Sequence, residues 1–93
     1  MSCQVLFDPA AERAFLALPK DARQRIAPRL RALADAPRPP TAKGLVGSPK
    51  GLRKLRVGPY RVVYFVDDEA GTVTVYGVGH RGHVYQRAKR PEA

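Results

Sequence analysis

The chain has 93 residues, with 17 lysines and arginines against 8 acidic residues, and a formal net charge of +9. This length fits one domain with a single two-layer core and, at most, a shallow site. The single cysteine, Cys3, excludes an internal disulfide, and no run of about 18 apolar residues predicts a membrane span. We therefore expect residues 1–93 to form one cytoplasmic domain without a signal peptide or membrane contact.

The N-terminal part of the sequence predicts a strand followed by a helix. CQVLF is a strand-like run, and Asp8-Pro9 after it supplies an N-cap side chain and a proline suited to the first helical position. The helix is predicted from about Pro9 to Leu18. Its apolar residues recur at spacings of four and three and share one face: Ala11, Phe15 and Leu18.

A second helix is predicted from Asp21 to about Asp35, so that the two helices form a hairpin. Its apolar stripe consists of Ala22, Ile26, Leu30 and Leu33. Pro28 lies inside this stripe, where it removes one backbone donor and crowds the preceding turn. We therefore expect either a kink at Pro28 or a helix that begins after it.

Residues 37–51 carry four prolines and three glycines and predict a solvated connector rich in basic residues. Three strand-like runs follow, LRKLRV, RVVYFV and TVTVYGV. The short breaks between them, Gly58-Pro59 and DDEAG, predict an antiparallel meander. The expected fold is α+β, with an N-terminal strand and a two-helix hairpin packed on one face of a small, mainly antiparallel four-stranded sheet.

Positive charge is concentrated in residues 37–66, which contain seven basic residues and no acidic one. Because successive side chains of a strand point to opposite sides, Leu55 and Val57 predict an apolar face, and Lys54 and Arg56 a cationic one. Helices on the apolar face leave the cationic face open. Such a surface predicts a polyanionic partner, with nucleic acid favoured over an anionic membrane or an acidic protein.

Several segments, in this order, resemble the RelE/ParE superfamily of toxins from toxin-antitoxin systems: RQRIAPRLRALADAP, KLRVGPYRVVYFVDDE and VYGVGHRGHVY. The resemblance covers nearly the whole chain, and its most specific part is the strand pair LRVGPYRVVY followed by VGHRGHVY. It implies a sheet similar to that of microbial ribonucleases, and an antitoxin that neutralises the protein. RelE-like members cleave mRNA in the ribosomal A site without a metal, ParE-like members poison DNA gyrase, and the shared fold does not choose between them.

The resemblance also implies a set of site residues. RelE-like members use a basic residue in the KLR strand, an arginine in the YR strand, an arginine after the VG of the last strand and a tyrosine beyond it. The matching residues here are Lys54, Arg61, Arg81 and Tyr85. This match favours the RelE-like branch, and it implies a metal-independent, cofactor-free endoribonuclease that acts on mRNA at the ribosome.

One family position differs. Some members carry a further lysine two residues before Lys54, where this chain has Leu52. Other cations can supply charge in its place, and the predicted RNA-binding residues are Arg53, Arg56, Lys43 and Lys50.

Cleavage of RNA by its own 2′-hydroxyl requires a base, positive groups at the scissile phosphate and an acid for the leaving 5′-oxygen. Residues 37–66 hold no carboxylate or histidine, so Lys54 is the candidate base. Arg56, Arg61 and Arg81 on the same face would lower its pKa by disfavouring the charged form. Arg61 would bind the phosphate through its planar fork of donors.

The segment VGHRGHVYQR supplies the remaining candidates. Arg81 matches the residue proposed as the general acid in the family, although a guanidinium gives up its proton reluctantly. His80 and His83 flank it and are possible helpers, because imidazoles titrate near neutral pH. Tyr85 offers an aromatic face for an unstacked base.

Structural alternatives accompany these assignments. The strand cations can be solvated charge, Arg61 can pair with the acidic DDE loop, and Tyr85 can cap the edge of the core. His80 and His83 can be surface residues, and as a zinc site they lack a third and fourth ligand. The tail RAKRPEA, residues 87–93, is expected to be mobile.

Two functional alternatives also remain. The first is a ParE-like inhibitor of DNA gyrase, for which the catalytic set would be dispensable. The second is an inactive toxin-like fold that only binds its antitoxin or RNA as a basic module.

Overall fold

A computed structural model describes residues 3–39, 42–44 and 52–80. Its elements in chain order are β1 (Gln4–Phe7), α1 (Pro9–Leu16), α2 (Lys20–Ala32), β2 (Ala42–Gly44), β3 (Leu52–Val57), β4 (Tyr60–Asp67) and β5 (Thr72–His80). The strands form one sheet in the order β1-β5-β4-β3-β2. All neighbours are antiparallel except the parallel pair β1 and β5. The predicted α+β fold is confirmed, with β2 as an additional short strand at one edge.

The helix α1 begins as the sequence predicts. The Asp8 carboxylate accepts a hydrogen bond from the backbone N–H of Ala10 at 3.1 Å, and Pro9 occupies the first helical position. Ala11 is buried, and Phe15 packs against the core from the same face. The helix thus presents one apolar stripe to the sheet.

The helix α2 runs through Pro28 without interruption and ends at Ala32. Of the two alternatives that the sequence leaves open at Pro28, a helix that begins after it is therefore wrong. Ala22 and Ile26 on one side of the proline and Leu30 on the other are all buried, and this packing outweighs the one backbone hydrogen bond that proline removes. No described helix combines the length and apolar character required to cross a membrane.

The hydrophobic core lies between the two helices and one face of the sheet. Ile26 and Leu33 on the helical side contact a layer of strand residues that are fully buried. This layer contains Leu55, Val62, Tyr64, Val73 and Val75. The predicted apolar face of β3 is confirmed, since Leu55 and Val57 both belong to the core.

The start of the connector is attached to the sheet. The Tyr64 hydroxyl donates to the Pro37 carbonyl at 2.8 Å, and the Arg38 guanidinium donates to both carboxylate oxygens of Asp68 at 3.1 and 2.8 Å. The latter pair is exposed, and the guanidinium holds the pKa of Asp68 below its usual value. Arg38, rather than Arg61, is thus the partner of the acidic loop.

A β-bulge interrupts the pairing of β4 with β5. Val63 pairs with Gly77 and Tyr64 pairs with Val75, so Tyr76 has no opposite residue. The extra residue reverses the alternation of side chains along β5. As a result Val75 and Val78 both face the core, although they are three positions apart and would lie on opposite faces of a regular strand.

Candidate nucleic-acid interface

The sheet face opposite α1 and α2, here named the distal face, carries the cations that the sequence predicts for it. Alternation along β3 places Lys54 and Arg56 on this face, because Leu55 and Val57 are in the core. Arg61 on β4 joins them, since it pairs with Arg56 and alternates with Val62 in the core and Tyr60 packed against it.

Two of these cations are direct cross-strand neighbours. Arg56 pairs with Arg61, and Lys54 pairs with Val63 two residues further along β4. Directly opposite residues have Cβ atoms about 5 Å apart, and diagonal neighbours such as Lys54 and Arg61 about 7–8 Å. Three positive side chains of residues 52–66 therefore converge at the β3–β4 turn, within reach of one phosphate group.

The Arg61 guanidinium is held by backbone carbonyls. Its Nη1 donates to the carbonyl of Gly58 at 2.9 Å and to the carbonyl of Tyr60 at 3.0 Å, and the residue is only 8% exposed. A guanidinium has five N–H donors, so these two bonds leave others for an anion. The turn thus fixes the orientation of Arg61 before any ligand arrives.

The Gly58-Pro59 turn that holds Arg61 depends on glycine. Gly58 has φ +59°, which residues with a Cβ rarely adopt, and a two-residue hairpin loop requires such a value at its first position. A Cβ placed on Gly58 would lie 3.1 Å from Nη2 of Arg25 on α2. The turn therefore also contacts the helical layer.

The structure separates two predicted site residues from this group. Arg53 has the same parity as Leu55, and its Nη2 donates to the Ala42 carbonyl at 3.2 Å. His80 pairs with Tyr60, and their rings meet edge to face with centroids 5.8 Å apart. Since Tyr60 packs against the core, Arg53 and His80 both lie on the helical side of the sheet.

Other predicted residues are described only in part or not at all. The backbone of Lys43 pairs with that of Lys54. Four more candidates lie outside the described residues: Lys50, Arg81, His83 and Tyr85. Within the described ranges, no three His, Cys, Asp or Glu side chains are grouped as a metal site requires.

The distal face also has an apolar part, which is not among the features predicted above. Leu52 and Val63 are buried on it, and Phe65 and Tyr76 pack against them half-buried. The run RVVYFV contains the signal, because its apolar residues continue on both faces of the strand. Such a pattern is typical of a strand covered on both sides, so the expectation that this face is open is wrong at Leu52 and Val63.

Comparison with known proteins identifies the relatives of this chain. Residues 5–85 match the family model described as the ParE toxin of the type II toxin-antitoxin system, parDE. None of the curated proteins compared with the chain matches it.

Solved structures of toxins share the fold. A mutant of Escherichia coli toxin RelE in the free state is 32% identical, with a TM-score of 0.77 and 95% of each chain covered. The intact E. coli RelBE toxin-antitoxin complex contains a chain that is 31% identical, with a TM-score of 0.75 over 88% of this chain and 100% of that one. The RelBE2 complex of Mycobacterium tuberculosis gives 29% identity and a TM-score of 0.77 over 87% and 100%.

Proposed function

Since the chain belongs to the RelE/ParE superfamily and is the toxin of a type II toxin-antitoxin system, we propose that it arrests growth by cutting messenger RNA. The proposed activity is a metal-independent, ribosome-dependent endonuclease of the cytoplasm that cleaves in the A site. The convergence of Lys54, Arg56 and Arg61 on the distal face is the observation that carries this proposal.

The proposed reaction is an internal transfer at phosphorus. The 2′-oxygen bonds to the phosphorus of the adjacent phosphodiester, and the bond from phosphorus to the 5′-oxygen breaks. The products are a 2′,3′-cyclic phosphate and a 5′-hydroxyl. One proton must leave the 2′-hydroxyl and one must reach the 5′-oxygen, and the charge that builds on the phosphate oxygens must be stabilised.

Three residues are assigned to these tasks. Lys54 accepts the proton of the 2′-hydroxyl, and Arg61 donates hydrogen bonds to the phosphate oxygens. Because the turn carbonyls already orient Arg61, its charge needs little reorganisation during the reaction. Arg81 is assigned to the leaving group on the family match alone, and Tyr85 is assigned on the same ground to stacking of a base rather than to proton transfer. His83 and His80 are possible helpers, although His80 lies on the helical side.

A reconstituted translation system tests the proposal. Purified toxin should cut translated message in the presence of EDTA and only when ribosomes are present. Lys54→Ala, Arg61→Ala and Arg81→Ala should each slow cleavage by about 100-fold or more. Arg31→Ala removes an exposed cation from α2 and should retain the wild-type rate. Intact message in this system, together with growth arrest when the same toxin is expressed in cells, would refute the proposal.

One observation favours a second function. The family model that matches residues 5–85 is that of ParE toxins, and ParE-like members inhibit DNA gyrase. If this chain does so, purified protein should inhibit supercoiling, and Lys54→Ala should inhibit it equally well. The two assays together separate the functions, because only the nuclease depends on Lys54.

The proposed neutralising partner is a cognate antitoxin. Several similar structures are toxin-antitoxin complexes, and the positive charge of this chain favours an acidic partner segment that folds as it binds. Co-expression with the antitoxin should restore growth. Harmless expression without any antitoxin would instead indicate an inactive toxin-like fold.

A further inference from the structure

The distal face changes from cationic to apolar along the strands. Residues that pair across neighbouring strands form three rows on this face. The row nearest the β3–β4 turn is Arg56–Arg61–Gly79. The next two rows are Lys54–Val63–Gly77 and Leu52–Phe65–Thr74–Leu6. Rows of the same face are about 7 Å apart, which is two residues along a strand. Cations thus occupy the first two rows, and large apolar side chains occupy the third.

The apolar part has a buried floor and half-buried aromatic walls. Leu52 and Val63 are 3% and 0% exposed, and Phe65 and Tyr76 pack against them while each keeps part of its surface accessible. Tyr76 is the bulged residue of β5, so the bulge is what supplies this ring. Leu6 at the edge of the same row is 39% exposed. Among the described residues, the accessible apolar surface of this part is therefore limited to Phe65, Tyr76 and Leu6, and aromatic and apolar side chains are the usual lining of ligand sites.

We propose that Phe65 and Tyr76 form a nucleobase-binding subsite, which holds one unstacked base of a single-stranded RNA beside the phosphate bound by Lys54 and Arg61. The proposal rests on the proposed nuclease function and adds a residue-level account of substrate binding to it. Bases of single-stranded RNA are commonly held against aromatic side chains, because every base has a stacking face.

The arrangement of charge favours RNA as the occupant. A nucleotide joins a planar apolar base to an anionic phosphate, and the distal face offers an aromatic patch one or two rows from three cations. Asp67 pairs with Thr72 one row beyond Phe65, on the side away from the cations. Its negative charge would repel phosphates from that end. The phosphate backbone of the bound RNA is therefore directed toward Lys54 and Arg61.

Binding of an uncleavable oligonucleotide tests the subsite without requiring catalysis. The probe is a single-stranded oligonucleotide with a 2′-deoxy sugar at the scissile position, compared with the same probe lacking one base beside that position. Phe65→Leu and Tyr76→Leu keep apolar volume but remove the ring, and each should weaken binding of the complete probe by about tenfold. The abasic probe should bind wild type and both variants with similar affinity. Loss of the ring then matters only when the base is present, as expected if the ring contacts that base directly.

Control variants separate stacking from folding. Phe65→Tyr and Tyr76→Phe retain a ring and should restore binding close to that of wild type. Leu16→Ala shortens a leucine on α1 that is 60% exposed and should leave the probe affinity unchanged. Thermal unfolding of every variant identifies any loss of structure. In the translation assay, the two leucine variants should raise KM more than they lower kcat.

The possible results are distinct. Equal affinity of wild type and the leucine variants for the complete probe would overturn the subsite. Loss of antitoxin binding with unchanged RNA binding would also overturn it, because the apolar patch would then be a protein-docking surface. If Lys54→Ala abolishes cleavage while both leucine variants bind and cut as wild type does, only the subsite fails. If the leucine variants lose probe binding but no message is ever cut, the subsite stands and the nuclease fails.

Discussion

Arg56 and Arg61 lie directly opposite each other in the pairing of β3 with β4, both on the distal face. Like charges in this position destabilise a sheet. The carbonyls of Gly58 and Tyr60 offset part of the repulsion by accepting hydrogen bonds from Arg61. Under the proposed function, a phosphate between the two guanidinium groups would offset the remaining repulsion.

Removing one of the opposed charges should stabilise the fold. Arg56 is exposed, so Arg56→Gln loses little packing and relieves the repulsion with Arg61. We expect the free energy of unfolding to rise by about 0.2–1 kcal/mol, measured by urea denaturation at low salt. Added salt should reduce the gain, because it screens the repulsion in the wild type.

The matched control is Arg13→Gln, which removes an exposed arginine from the last turn of α1. A cation at that position interacts favourably with the helix dipole, so its loss should leave stability unchanged or slightly lower. Equal effects of the two substitutions would show that net charge, and not the cross-strand pair, determines the result.

Arg61 should contribute to stability as well as to RNA binding. Arg61→Ala leaves the carbonyls of Gly58 and Tyr60 without this donor, and should lower the free energy of unfolding by about 1–3 kcal/mol. Arg61→Lys keeps a charged donor and should lose less. Both variants should cut message slowly, because lysine lacks the planar fork. A lysine variant that is stable but inactive would separate the role in binding from the role in folding.

Alanine substitution should lower stability similarly at two glycines, apart from one additional contact at Gly58. Gly58 and Gly71 have φ +59° and +69°, so Gly58→Ala and Gly71→Ala should each lower the free energy of unfolding by about 1–2 kcal/mol. Nothing lies within 4 Å of a Cβ on Gly71, whereas Arg25 lies 3.1 Å from one on Gly58. Any excess cost at Gly58 should disappear in an Arg25→Ala background; if it persists, the helix contact is not its cause.

Tyr64 should make stability depend on alkaline pH. Burial raises the pKa of its hydroxyl, and the nearby Arg53 guanidinium opposes that shift only in part. Above about pH 10 the unfolded chain loses this proton while the folded chain keeps it. The unfolded state then binds fewer protons, so stability falls as pH rises through this range.

Tyr64→Phe is the variant that isolates this effect. It removes the hydrogen bond to the Pro37 carbonyl and should cost about 1–3 kcal/mol near neutral pH. Because phenylalanine does not ionise, the gap between wild type and variant should narrow above about pH 10. Urea denaturation across this range, with tyrosinate absorbance followed in parallel, measures both quantities. A gap that stays constant would mean that Tyr64 ionises equally in both states.

Periodicity alone located much of the fold. The stripe of Ala22, Ile26 and Leu30 predicted a buried helical face, and the alternation of Leu55 and Val57 with Lys54 and Arg56 predicted the two faces of β3. These patterns are local, because each depends only on how one helix or strand orients its own side chains. The same alternation already assigns Arg53 to the side of Leu55, so its place away from the other cations needs no tertiary information.

The sequence by itself determined which residues share a face within one element, and it determined the family through segments that agree in order. Only the tertiary structure decided which elements are neighbours and in what register. The bulge at Tyr76, the row that joins Leu52, Phe65 and Leu6, and the anchoring of Arg61 by turn carbonyls all depend on that register. Register is set by packing between strands that are distant in sequence, so no local pattern contains it.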